Sequence, residues 1–237
     1  AIGDTHFRVD NINIVDILIE ELIRILTERK PDVIVLLGDI LHDHERLHTI
    51  ALNRAYTMID QLRKIAPTYI LVGNHDMINH DQFLTDQHWM NALKMWPNVT
   101  IVDTVVHAEI QGYEFLFCPY VAPGRFVEAL ETNEFEWAEA DLIFAHQEFA
   151  GCKMGAIVSE IGDEWELESP PVVSGHIHSK QTPQENIFYT GSSMQVAYGE
   201  TEKNIVLMID FSENEDGYSE RSDEEIILDL PRKRILY

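Results

Sequence analysis

The chain has 237 residues, 45% of them hydrophobic, with 41 acidic side chains against 17 basic ones and a net charge of −24. This length suits one large α/β domain, and the absence of any apolar run of about 18 residues excludes a membrane-spanning helix. So acidic a balance argues against a surface that grips nucleic acid unaided, because Lys and Arg contacts to phosphate supply much of that affinity.

In chain order, Ala1-Ile2 reads as the end of a strand, and a few apolar residues are expected before it in the full-length protein. Ile14, Ile17, Leu18, Leu22, Ile25 and Leu26 recur at helical spacing and predict a helix over 14–29. Val33 to Leu37 is a continuous β-branched and leucine run, read as a buried strand. A second amphipathic helix is predicted over 48–65, stopped by Pro67, before a strand over 69–72. A shorter helix is expected over 86–95 and a strand over 100–103. A hairpin is predicted over 105–110 and 113–117, joined by Gln111-Gly112. A helix over 124–131 precedes strands over 142–145 and 171–174, and the remaining β-rich segments are 187–189, 205–211 and 226–230. Between the last two, residues 212–225 form an acidic stretch in which Glu213, Glu215, Asp216 and Glu220 would solubilise a hairpin tip. Cys118 and Cys152 form no C-x-x-C pair and read as reduced packing residues, which places the protein inside a cell.

Chemistry concentrates where the strands end. Six of the eleven histidines fall in five short clusters: Gly3-Asp4-Thr5-His6, Gly38-Asp39-Ile40-Leu41-His42, Gly73-Asn74-His75-Asp76, Ala145-His146-Gln147 and Gly175-His176-Ile177-His178. Imidazole, carboxylate and carboxamide without thiolate are ligands for borderline divalent metals. Most clusters follow an apolar run, so the ligands collect at the carboxyl ends of successive strands, where open α/β sheets place their sites. Any one cluster could be a turn. Five in one strand-end position are a metal site.

This ordered series resembles the metallo-dependent (calcineurin-like) phosphoesterase superfamily, whose pattern is D-x-H, G-D, G-N-H-D, H and G-H-x-H, and it spans Asp4 to His178. The resemblance implies a four-layer α/β/β/α sandwich; the chain reads as a single domain over 1–237 with a β-rich part from about 179, and it departs from the nuclease branch in having no full capping domain. It also implies two divalent ions, manganese first, with iron or zinc as alternatives. One ion would be held by Asp4, His6, Asp39 and His178, the other by Asp39, Asn74, His146 and His176, with Asp39 bridging. His75 is then the general acid, and Asp76 orients its imidazole or fixes the loop. His42 contacts the phosphate or holds His75.

His42 narrows the branch. Gly38-Asp39-Ile40-Leu41-His42 is similar to the G-D-L-F-H of the SbcD-type double-strand-break-repair nucleases. The segment 186–192 and Tyr198-Gly199-Glu200 also resemble that branch. The resemblance implies a DNA nuclease that works with an SbcC-type SMC-like ATPase or as a homodimer. Met58, Trp89, Met90 and Trp96 are candidates for the pairing face, or else they pack on the sheet. A phosphodiesterase or phosphomonoesterase of small substrates and a non-catalytic scaffold are the alternatives. His44, His48, His80, His88 and His107 match no family motif and read as surface or loop residues, with His44 and His80 near enough in sequence to line the cleft.

Overall fold

A computed structural model describes residues 1–44, 46–79, 82–197, 200, 203–213 and 219–232. His80, Tyr198, Gly199, Glu215 and Asp216, singled out above, lie outside the described residues.

The first half alternates helix and strand: α1 (Ile12–Arg29), β1 (Ile34–Leu36), α2 (Thr49–Leu62), β2 (Thr68–Leu71) and β3 (Val99–Val102). β1, β2 and β3 are parallel neighbours in that order. The second half supplies β4 (Val106–Ile110), β5 (Tyr113–Cys118), α3 (Phe126–Leu130), β6 (Leu142–Ala145), β7 (Lys153–Met154), β8 (Ile157–Val158) and β9 (Val172–Ser174). β10 (Gln181–Gln184), β11 (Ile187–Tyr189), β12 (Ile205–Glu213) and β13 (Ser219–Ile227) follow. A second sheet runs β10-β11-β9-β6-β5-β4, with β5, β6, β9 and β11 parallel. The β12–β13 ribbon joins the first sheet through Ile2, which bridges Leu36 on one side and Val206 on the other.

Strand periodicity builds the layers, because alternate side chains face opposite sides of a sheet. Ile34, Leu36 and Ile70 pack with α1 and α2, while Val35 and Leu71 turn to the second sheet. There Phe115, Phe117, Leu142 and Phe144 meet them, and Leu116, Ile143 and Ala145 face α3. The result is the expected α/β/β/α sandwich. At its centre the Tyr69 and Phe117 rings stack with centroids 4.2 Å apart, and Phe144 lies parallel 5.3 Å from Phe117. Phe117→Ala should therefore cost about 3–5 kcal/mol, since the sheets cannot collapse onto the void. Urea titration would read this as a lower midpoint at unchanged slope.

Three expectations need correction. Over 86–95 only a 3₁₀ turn, Asn91–Met95, forms. The His88 ring accepts from Met90 N at 3.1 Å, and the Trp89 indole donates to Asp76, so side-chain demands replace helical bonds. β13 begins inside the acidic stretch, at Ser219, where its partner β12 supplies the ladder. Met58 and Met90 are buried in the core, while Trp89 and Trp96 are half-buried against it. Met58 and Met90 thus cannot form an exposed pairing face. Cys118 and Cys152 are free and buried, as expected. Among the described residues no helix is long and apolar enough to cross a membrane.

Candidate metal centre

The strand ends converge. Residues 2–7 run beside β1 and its exit, with His6 N donating to Asp39 O at 2.9 Å and Phe7 N to Ile40 O at 2.8 Å. This sets Asp4, His6 and Asp39 together at the carboxyl end of the first sheet, with Asn74 and His75 following β2. The second sheet brings His146 after β6, and His176 and His178 after β9. Asp4, His6, Asp39, Asn74 and His146 are buried; His176, His178, His75 and His42 are half-buried at the opening.

The approach is close. A Cβ on Gly73 would stand 2.2 Å from Asp39 Oδ1, and one on Gly175 would stand 2.5 Å from Asp4 Oδ1. Only glycine lets these loops pass. His6 (φ 44), Asp39 (φ 48) and His176 (φ 76) all hold left-handed backbone, a cost on the order of 1–3 kcal/mol each that clusters at functional sites.

Three groups of donor atoms result, one of them all imidazole (His6, His42 and His75) and two carrying a carboxylate. One ligand atom each from Asp4, His6 and His178 lie within 4.8 Å of one another, and so do those of Asp39, His146 and His176. His6 Nε2 faces His178 Nε2 at 2.8 Å. The Asn74 carboxamide oxygen is 3.0 Å from His146 Nε2 and 2.8 Å from His176 Nδ1. Asp39 Oδ2 sits between the groups, 3.7 Å from His6 Nε2 and 3.4 Å from His146 Nε2. The seven residues predicted as ligands are all brought together.

The electrostatics of the cluster suit a cation. His146 Nδ1 is 2.6 Å from the Leu37 carbonyl, which can only accept, so Nδ1 carries a proton and Nε2 turns its lone pair toward Asn74 and Asp39. Lone pairs facing oxygens at this range need a proton or a cation between them. Burial lowers the His146 imidazole, but Asp39 and Asp4 outweigh it and raise it to about 9. Burial would likewise raise Asp39, yet His146 and His6 hold it well below the usual carboxylate range. Burial raises Asp4 despite His146, and it pushes His6 well down. Among the described residues, the basic groups within 4 Å of the two carboxylates are all imidazoles.

Around this centre the remaining predicted residues sort by contact. His75 Nδ1 donates to the His42 carbonyl at 2.6 Å, and its backbone N donates to Asp39 Oδ1 at 2.8 Å. Its ring lies between those of His42 and His44, at 5.3 and 4.5 Å. The Asp76 carboxylate accepts from Gly73 N at 3.1 Å and the Trp89 indole at 2.8 Å, with Leu41 N at 3.5 Å. Of its two expected roles these contacts serve the loop; the orientation of His75 comes from the His42 backbone. Burial and the nearby Asp39 raise the Asp76 carboxyl to about 7. His88 is no surface residue: it is buried and paired with Asp103 at 3.1 Å. His48 caps α2, and His107 pairs with Glu114 across the β4–β5 hairpin.

Two carboxylates escaped the sequence reading. Glu148 Oε2 lies 3.9 Å from His176 Nε2, and Glu200 Oε1 lies 3.7 Å from His178 Nδ1. Glu148 stands two residues past His146, and Glu200 closes the Tyr198-Gly199-Glu200 segment, which were the available signals.

The sequence profile described as calcineurin-like phosphoesterase matches residues 1–180. The chain belongs to this family. It is similar to protein 244L of Invertebrate iridescent virus 6, at 53% identity over 99% of this chain and 83% of that protein. It is also similar to protein 078R of Invertebrate iridescent virus 3, at 49% identity over 100% of this chain and 67% of that one. Both carry the provisional name of phosphoesterase. Among solved structures, an archaeal phosphodiesterase aligns over 96% of this chain and 99% of its own, at 13% identity and a TM-score of 0.47. An Aquifex aeolicus protein of unknown function aligns over 61% and 75%, at 22% identity and a TM-score of 0.38. Calcineurin-like phosphoesterases use divalent metals, and the oxygen and nitrogen donors gathered here, with no thiolate among them, fit that requirement.

Proposed function

We propose that this calcineurin-like phosphoesterase is a two-metal phosphodiesterase acting on DNA, a nuclease of the SbcD type that serves repair or recombination. The observation that carries the reading is Asp39 Oδ2 between two donor groups, with His75 beside it and His42 beside His75. Asp4, His6, Asp39 and His178 would hold one ion, and Asp39, Asn74, His146 and His176 the other, manganese being the first choice.

Bound divalent ions supply Lewis acidity at the phosphate oxygens and acidify a water for attack. The chain's residues do the rest. Asp39 aligns the His75 backbone through Oδ1, and the His42 carbonyl holds the ring so that a proton on Nε2 can pass to the departing oxygen. His42 Nδ1 meets His6 Nδ1 at 3.3 Å, which ties the His42 ring to a ligand and leaves its other nitrogen for a phosphate oxygen. Glu148 and Glu200 act on the far nitrogens of His176 and His178, where carboxylates strengthen imidazole ligands.

A nuclease with a net charge of −24 needs help to hold a duplex, and either an SMC-like ATPase or a second copy would supply it. A phosphodiesterase of nucleotides or other small esters is the second reading, favoured by that charge and by a cleft lined, among the described residues, by one lysine, Lys153. Manganese-dependent hydrolysis of bis-p-nitrophenyl phosphate, run beside labelled single- and double-stranded DNA, separates the two. Cut DNA is the expected result; ester hydrolysis with intact DNA selects the small-substrate reading.

A further inference from the structure

The metal centre opens into a cleft of about 530 Å³, and one wall of it belongs to neither sheet. Lys153, Met154 and Gly155, on the two-stranded β7–β8 hairpin, line it opposite nothing the chemistry requires. The hairpin is nevertheless fixed at both ends. Gln181 accepts from Lys153 N at 2.7 Å and donates to Lys153 O at 2.9 Å, a two-point backbone clamp three residues past His178. At the base, Ser159 N donates to Cys152 O at 2.8 Å, and the Ser159 hydroxyl donates to Glu148, the carboxylate that faces His176. So short a ribbon buries too little to hold itself in place, and here its supports are neighbours of two metal-centre histidines.

Its surface is the wrong kind for a solvated tip. Met154, which lines the cleft, is 39% exposed, and Ile157 and Val158, outside the cleft lining, are 66% and 49% exposed on the same hairpin. Apolar side chains left open on a clamped element beside a catalytic cleft are a contact surface for something apolar carried by the substrate.

We propose that the β7–β8 hairpin is a substrate-selecting wall that packs Met154 against the retained organic arm of a phosphodiester. This rests on the phosphoesterase reading of the cleft. The leaving arm departs toward His75, which is positioned by loops of the first sheet, whereas the hairpin is positioned by residues of the second. A diester has a second arm to place on that wall; a monoester has none. The hairpin therefore favours diesters whose retained group offers a flat apolar face, such as an aryl ring or a nucleobase.

The test is Met154→Ala beside Gln181→Ala, which removes the clamp and leaves Met154. KM and kcat are measured for bis-p-nitrophenyl phosphate and p-nitrophenyl phosphate, and calorimetric titration with diphenyl phosphate and inorganic phosphate gives a readout free of turnover. Both variants should raise KM for the diester about 5-fold at unchanged kcat, and weaken diphenyl phosphate to match. The monoester and inorganic phosphate should change less than about 2-fold. Equal losses on both esters, or none on either, would overturn the hairpin assignment alone. A wild-type protein inert toward both esters would overturn the phosphoesterase reading and take this assignment with it.

Discussion

Asp39→Ala is expected to strip the protein of both metals and of all measurable ester hydrolysis. Three functions meet in this one buried carboxylate. Oδ2 lies between the His6 and His146 ring nitrogens, so it is placed to serve both donor sets. Oδ1 holds the backbone of His75. Its charge, with that of Asp4, makes the cluster attractive to cations. Loss of a shared ligand removes Lewis acidity from both sides of the phosphate, so activity should fall by more than about 10⁴-fold. Metal content by atomic emission and turnover of bis-p-nitrophenyl phosphate should vanish together. Should Asp39→Ala keep two ions per chain, the bridging assignment is wrong.

His75→Ala should part those two quantities. The ring is held to the His42 carbonyl and is not among the seven proposed ligands. Metal content should stay at the wild-type level while kcat drops by roughly 10²–10⁴-fold, the scale of general acid help. An ester with an easily expelled group such as p-nitrophenolate depends less on that proton, so the deficit should grow with the basicity of the leaving oxygen. Uniform losses across leaving groups would exclude a proton-donating role, and loss of metal would make His75 a ligand.

The strands that carry the centre were legible because buried parallel strands are continuous apolar runs and their ends are marked by Gly-Asp, Gly-Asn and Gly-His. Thus 33–37 and 69–72 lie within a residue or so of β1 and β2. What failed was structure decided by distant partners. Residues 86–95 look helical, but Asp76 claims Trp89 and His88 claims the Met90 amide. β7 and β8 have two residues each, too few to show a period, and they exist because Gln181 and Ser159 hold them. β13 carries charge on both faces along most of its length, so no alternation announces it; only pairing with β12 makes it a strand. Glu148 sits outside the motif blocks and Glu200 ends a segment noted only for its resemblance; the role of each comes from proximity to His176 and His178.

The two sheets contribute different shares of the centre: Asp4, His6, Asp39 and Asn74 come from the first, His146, His176 and His178 from the second. An ion seated among them is thus a cross-link between halves of the sandwich, and His6 and His178, which meet at 2.8 Å, are 172 positions apart along the chain. Closing contacts of such high order costs the entropy of a very long loop. The centre accordingly exists only while the two halves are docked, whatever secondary structure either half keeps.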